Sequence, residues 1–161
     1  MESRAKLLGH PIHTMLVFFP LGLLATAAIF DIVFLVTRTA ALSQSAYYLI
    51  SAGIIGGLVA SPFGWDWFAI PAGTRAMSVG LLHGAGNMLV LILFLISWLL
   101  RHNAPVDPRA AAYVCSFAAA GLAIVTGWLS GELVDRLGIG VDKGANPNAS
   151  SSLSGRSASE Q

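Results

Sequence analysis

Apolar residues in this chain run in long blocks, and no two-residue alternation dominates. Residues 14–36 form one block, and others cover about 46–63, 77–100 and 110–130. A helix needs roughly 20 predominantly apolar residues to cross the hydrocarbon core of a bilayer. The pattern therefore predicts four transmembrane helices. The connections "TRTAALSQSA", "GWDWFAIPAGTRA" and "RHNAPVDPR" are short, and short links join antiparallel neighbours. The expected fold is all-α, an integral membrane four-helix up-down bundle spanning residues 1–145. The polar stretch from 146 to 161, "NPNASSSLSGRSASEQ", lacks the apolar surface that would offset its ordering entropy and is expected to be disordered.

Composition supports the same picture. The 161 residues are 55% hydrophobic and 11% charged, with mean hydropathy +0.72, whereas a soluble domain carries about 25% charged residues. The net charge of +1 creates no basic field for nucleic acid. Cys115 stands alone, which excludes a disulfide framework. The start "MESRAK" ahead of an apolar block looks like a secretory signal. That block is too long for one, contains Asp31 and has three more behind it, so it reads as a retained first span.

With four spans both termini face one side. Arg4, Lys6, Arg75, Arg136 and Lys143 lie close to the spans on that side, and Arg38, Arg101 and Arg109 on the other. Five against three places the termini in the cytoplasm by the positive-inside rule. Small residues recur four apart, as Gly53 with Gly57, Gly80 with Gly84 and Gly127 with Gly131. Such pairs let helices approach closely in lipid, and they also arise by chance in any glycine-rich apolar sequence.

Ionisable groups inside a membrane are costly and face the bundle interior. His13 lies at the mouth of the first span, and His83 sits roughly 9 Å into the third from the same face. His10, Asp66 in the "GWDWF" link, and Glu132 and Asp135 in "GELVDR" lie at that end too. Asp31 is eighteen residues from His13, five whole helical turns, so the two share a face. Pro20 between them is a candidate kink. Asp31 has three candidate partners, Arg38, Arg101 and His102. Plain structural readings stand beside these. His10 and His13 suit a water boundary, with Pro11 opening the helix. Trp65 and Trp67 suit an interfacial belt, and Asp66 suits a turn.

Imidazole is the usual haem ligand and the commonest metal ligand, and bundles bind cofactors between facing helices. Haem b through His13 and His83, with His10 as an alternative ligand, is the leading expectation. Gly80, Gly84 and Gly86 would leave bare backbone for a porphyrin. A non-haem metal held by His10, His13 and His83 with Glu132 or Asp66 is the competing site. Proton or quinone handling needs no metal, and a structural or partner-binding subunit needs no cofactor at all. Nothing resembles a phosphate loop, a nucleophile elbow or an HExxH helix.

Together "GHPIHTMLVFFPLGL", Asp31, "GWDWFAIPAGTRA", "LHGAGN" and "GELVDRLGIGV" resemble the bacterial membrane proteins called the domain of unknown function 2231 family, over roughly residues 8–141. The resemblance implies four transmembrane helices in the bacterial inner membrane and no established activity. Some relatives are fused to Rieske-type iron–sulfur domains, which implies redox work with an iron–sulfur partner. Many relatives carry further histidines where this chain has Phe18 and Leu137. A site with many histidines is therefore not expected here, and one site using His10 or His13 with His83 is.

Overall fold

The structure, a computed structural model, describes residues 2–3, 5–64, 70–154, 156 and 158–159. Four helices dominate it: α1 (Ile12–Thr37), α2 (Ala40–Ala60), α3 (Arg75–Arg101) and α4 (Ala110–Gly131). Each is long and apolar enough to cross a membrane, so the chain is an all-α, multi-pass membrane bundle. Two short strands, β1 (Lys6–Leu7) and β2 (His10–Pro11), pair antiparallel ahead of α1. Leu8 and Gly9 both take positive φ between them, the geometry of a two-residue hairpin turn. His10 therefore sits on this hairpin and not on the first helix.

The helix ends follow local chemistry. The Thr74 side chain accepts from the Met77 amide at 3.2 Å and caps α3, satisfying one of the donors a helix start leaves open. Arg38 closes α1 in the left-handed conformation, its N–H donating to Phe34 O. Beyond α4, Glu132–Arg136 widens into a single π turn.

The buried positions make one seam on each helix. They include Pro20, Leu24, Ala27, Asp31 and Phe34 on α1, and are Ser43, Ala46, Ile50, Gly53 and Ala60 on α2. On α3 they include Val90, Phe94, Ser97 and Arg101, and on α4 Ala112, Ser116, Ala119 and Thr126. Steps of three, four and seven keep each set on one face. Leu24, Ala27, Ala46, Ile50, Val90, Phe94 and Ala119 meet as a dry core. Large apolar residues such as Phe18, Val36 and Ile124 point outward, where lipid replaces water.

Helices α1 and α2 pack as one hairpin and α3 and α4 as another, and the two hairpins meet far less extensively. Side contacts run between α2 and α3 and between α1 and α4, so α1 and α3 stand across the diagonal. These neighbours, together with the alternating helix directions, are those of two hairpins related by an approximate two-fold along the bundle axis. Their seams agree in register: Pro20, Leu24, Ala27 and Asp31 recur seventy positions on as Val90, Phe94, Ser97 and Arg101. Ala46, Ile50, Gly53 and Ala60 correspond in the same way to Ala112, Ser116, Ala119 and Thr126.

Close approach falls only partly where the small-residue pairs suggest. A Cβ on Gly53 would lie 2.6 Å from Leu24, and one on Gly57 2.7 Å from Leu91. Gly84 and Gly127 face open space instead, while Gly86, outside the three pairs, packs against Thr126.

At the end where the chain begins, the Lys6 ammonium bridges Glu2 and Asp142, and Glu2 accepts from the Lys143 amide. The Lys143 amide and Lys6 hold the Glu2 carboxyl below the usual carboxylate value, and Asp142, then Glu2, raise the Lys6 ammonium above its ordinary value.

Two predictions follow from this packing. Gly86→Ala should cost about 1–3 kcal/mol through overpacking, while Gly127→Ala should be neutral or stabilising by up to about 1 kcal/mol; thermal unfolding in detergent separates them. For the tether, a depressed carboxylate contributes above its unfolded value of 4.5 and is lost as pH falls through its lowered folded value. A raised ammonium contributes below 10.5 and is lost as pH rises through its raised folded value. Spin labels at Ser3 and Ala145 should therefore stay close across the neutral range and separate at both extremes. An unchanged distance in strong acid would count against the contact.

Candidate functional site

Each hairpin carries one histidine on its first helix, anchored to its second. His13 Nδ1 donates to the backbone carbonyl of Ala60 at 3.0 Å. His83 Nδ1 donates to the carbonyl of Thr126 at 2.9 Å. A carbonyl can only accept, so both rings carry hydrogen on Nδ1, and in the neutral ring Nε2 keeps its lone pair. The acceptors Ala60 and Thr126 are themselves equivalent under the two-fold relation, so the two anchors are one device used twice. Gly64 gives His13 its room, because a Cβ there would approach the ring to 2.9 Å.

The surroundings of the two rings differ. His83 Nε2 accepts from Asn87 Nδ2 at 3.0 Å, and Asn87 Oδ1 accepts from the Thr126 hydroxyl at 3.0 Å. Thr126 is almost fully buried, so this network is sheltered. His13 and His83 lie within electrostatic reach of each other.

The other candidate residues are engaged elsewhere. His10 is exposed on β2, where its Nε2 meets the Ser152 hydroxyl at 3.3 Å. Glu132, at the end of α4, pairs with Arg75 at the start of α3, and Asp135 is exposed. Asp66, Trp65 and Trp67 lie outside the described residues. Among the described residues no three His, Cys, Asp or Glu side chains gather as a metal-binding group.

The opposite end of the bundle holds a second polar layer, in which Arg101 is the partner of Asp31. The guanidinium grips the carboxylate with both arms, at 2.7 and 2.6 Å, and neither side chain is exposed. Ser116 donates to Asp31 at 3.0 Å, Arg101 Nε donates to Ser97, and the Tyr113 ring lies 5.1 Å from the guanidinium carbon. The Tyr113 hydroxyl is buried beside Ser43 without a well-formed hydrogen bond, and Ser43 itself donates to Pro105 O. His102 turns away to Tyr47, and Arg38 lies over Phe34.

Sequence reasoning singles out His13, His83 and Asp31 but not Asn87, Thr126, Ser97 or Ser116. Asn87 is one turn after His83 on the same face, a detectable signal. Thr126 and Ser116 join through packing between helices, which spacing along the chain does not encode.

A family model described as "Predicted membrane protein (DUF2231)" matches residues 9–143. No curated protein and no solved structure matches the chain.

The hydrogen bonds dictate the tautomers. Nitrogen NMR of labelled protein should find Nδ1 protonated and Nε2 unprotonated in both His13 and His83. Asn87→Ala should shift the His83 Nε2 resonance and leave that of His13 in place. Nε2 protonation at either ring would overturn the assignment.

Proposed function

The chain belongs to the DUF2231 family of predicted membrane proteins, and on that premise we propose that it is a small membrane redox protein holding haem b between His13 and His83. The observation that supports this reading is the pair of Nδ1–H bonds to backbone carbonyls. Ligating histidines are typically fixed in this way, with the second ring nitrogen left to the metal.

Ligand count favours haem over a bare ion. A porphyrin supplies four nitrogens, so two imidazoles complete an octahedral iron, whereas a non-haem site needs three or more protein ligands. His10 and Glu132 hold other partners, which weakens a larger shell with His10, His13, His83, Glu132 and Asp66. Gly84, with open space beside it, offers bare backbone one residue from His83. Gly86 does not, because Thr126 occupies that space. When bound, the haem would supply one-electron chemistry. The protein's share would be to hold two rings by Nδ1 and to release His83 Nε2 from Asn87. An iron–sulfur protein is the proposed redox partner, with the chain in a bacterial inner membrane and its termini in the cytoplasm.

The Asn87 bond to His83 Nε2 favours a second reading. In it the network is a cofactor-free clasp between α3 and α4, and the protein is a structural subunit for another membrane protein.

One spectrum separates the two. Protein produced with ample haem should purify with a sharp Soret band that shifts on dithionite reduction. His83→Ala should abolish it and His102→Ala should leave it intact. Colourless protein with blank metal analysis, or haem retained in His83→Ala, would defeat the haem assignment.

A further inference from the structure

The two-fold relation makes the hairpin seams interchangeable over much of their length. Pro20, Leu24 and Ala27 on α1 stand where Val90, Phe94 and Ser97 stand on α3. Both hairpins also start from the same end of the bundle. A first hairpin could thus pair with the first hairpin of another chain around the same axis. Lipid adds no hydrophobic preference, because tails are as apolar as the seams, and the interface between hairpins is thin beside those within them. Apolar packing alone would not distinguish the two seams from each other.

The equivalent seam positions that carry opposite charge are Asp31 and Arg101, and their surroundings are unequal. Every hydrogen bond to Asp31 comes from the second hairpin, from the Arg101 guanidinium and the Ser116 hydroxyl. The residues of the first hairpin that correspond to Ser97 and Ser116 are Ala27 and Ile50. A first–first pair would set two carboxylates on the axis, with Ala27 and Ile50 where Ser97 and Ser116 now supply hydroxyls. A second–second pair would set two guanidiniums there. Only the unlike pair neutralises charge in a layer with no solvent exposure.

We propose that the inner seam of each hairpin is a docking surface for a second hairpin, and that Asp31 and Arg101 are its pairing code. Opposite charges at equivalent positions select first-with-second pairing and reject first-with-first and second-with-second pairing between chains. A role in stability alone explains the pair less well. Replacing a buried ion pair with apolar residues is often neutral or stabilising, and fixing register or partner is its best-attested use. Rejection of the wrong partner by unpaired charge is how specificity is built when shapes are similar.

The test uses the full chain carrying Cys115→Ser and Leu24→Cys, so that first–first pairing brings two cysteines together at the axis. The parent should form no covalent dimer under oxidation. Asp31→Leu alone should lower the folded yield several-fold by stranding Arg101, and adding Arg101→Leu should restore it. The double variant should melt no lower than the parent, yet exchange hairpins and give disulfide-linked dimers through residue 24. A double variant that folds, stays monomeric and does not cross-link would overturn the code. One that fails to insert or fold would equally overturn it, by showing that the pair is needed for stability.

Discussion

A charge in a bilayer-spanning bundle needs both a counter-charge and hydrogen bonds, and at Asp31 and Arg101 the protein meets the two needs together. A single Asp or Arg at the centre of a spanning helix costs about 2.5–3.5 kcal/mol on insertion scales. Here the two charges bond by both arms of the guanidinium, with Ser97 and Ser116 filling further sites. These partners reside on α1, α3 and α4, so satisfying the pair fixes the rotation of three helices at once. Each seam then presents its small and apolar residues to the core. The loop after α3 is tied down by the same end of the bundle, where Ser43 donates to Pro105 O.

Much of this was legible because the bilayer imposes length. Four apolar blocks can be read as spans without knowledge of their packing, and the depth of His83 and Asp31 marks them as inward. Five turns between His13 and Asp31 place both on the inner side of α1, and both do face inward. The partner of Asp31 was harder to choose. Arg101 continues the seam of Val90, Phe94 and Ser97, whereas His102 lies about 100° further round the helix and Arg38 is itself the left-handed cap of α1. The seam becomes visible only once the burial of its members is known. The tandem relation is fainter still. Of the axial residues, His13 and His83 agree in identity, while Asp31 and Arg101 are opposites and Ala27 answers to Ser97. The close approach of Gly86 to Thr126 depends on where α4 lies, which no spacing along α3 encodes.

Equivalence between the hairpins also accounts for the division of the polar residues. In each hairpin the histidine and the charged residue are eighteen positions apart, a rise of about 27 Å. The rotation superposes one such rod on the other, so like levels meet across the axis, imidazole near imidazole and carboxylate against guanidinium. The two layers therefore lie toward opposite ends of the bundle as a direct result of one helical spacing used twice.

Between those layers, Leu24, Ala27, Ala46, Ile50, Val90, Phe94 and Ala119 form a continuous dry core, and this core is an electrical insulator. A membrane voltage falls across such material, and a unit charge carried through it exchanges about 2.3 kcal/mol per 100 mV with the field. The Asp31–Arg101 pair is neutral as a unit and adds no net charge to one side of that dielectric. The imidazole layer stands on the other side of that core. The bundle thus sets its two imidazoles at one plate of a capacitor, with the low-dielectric core between them and the Asp31–Arg101 layer.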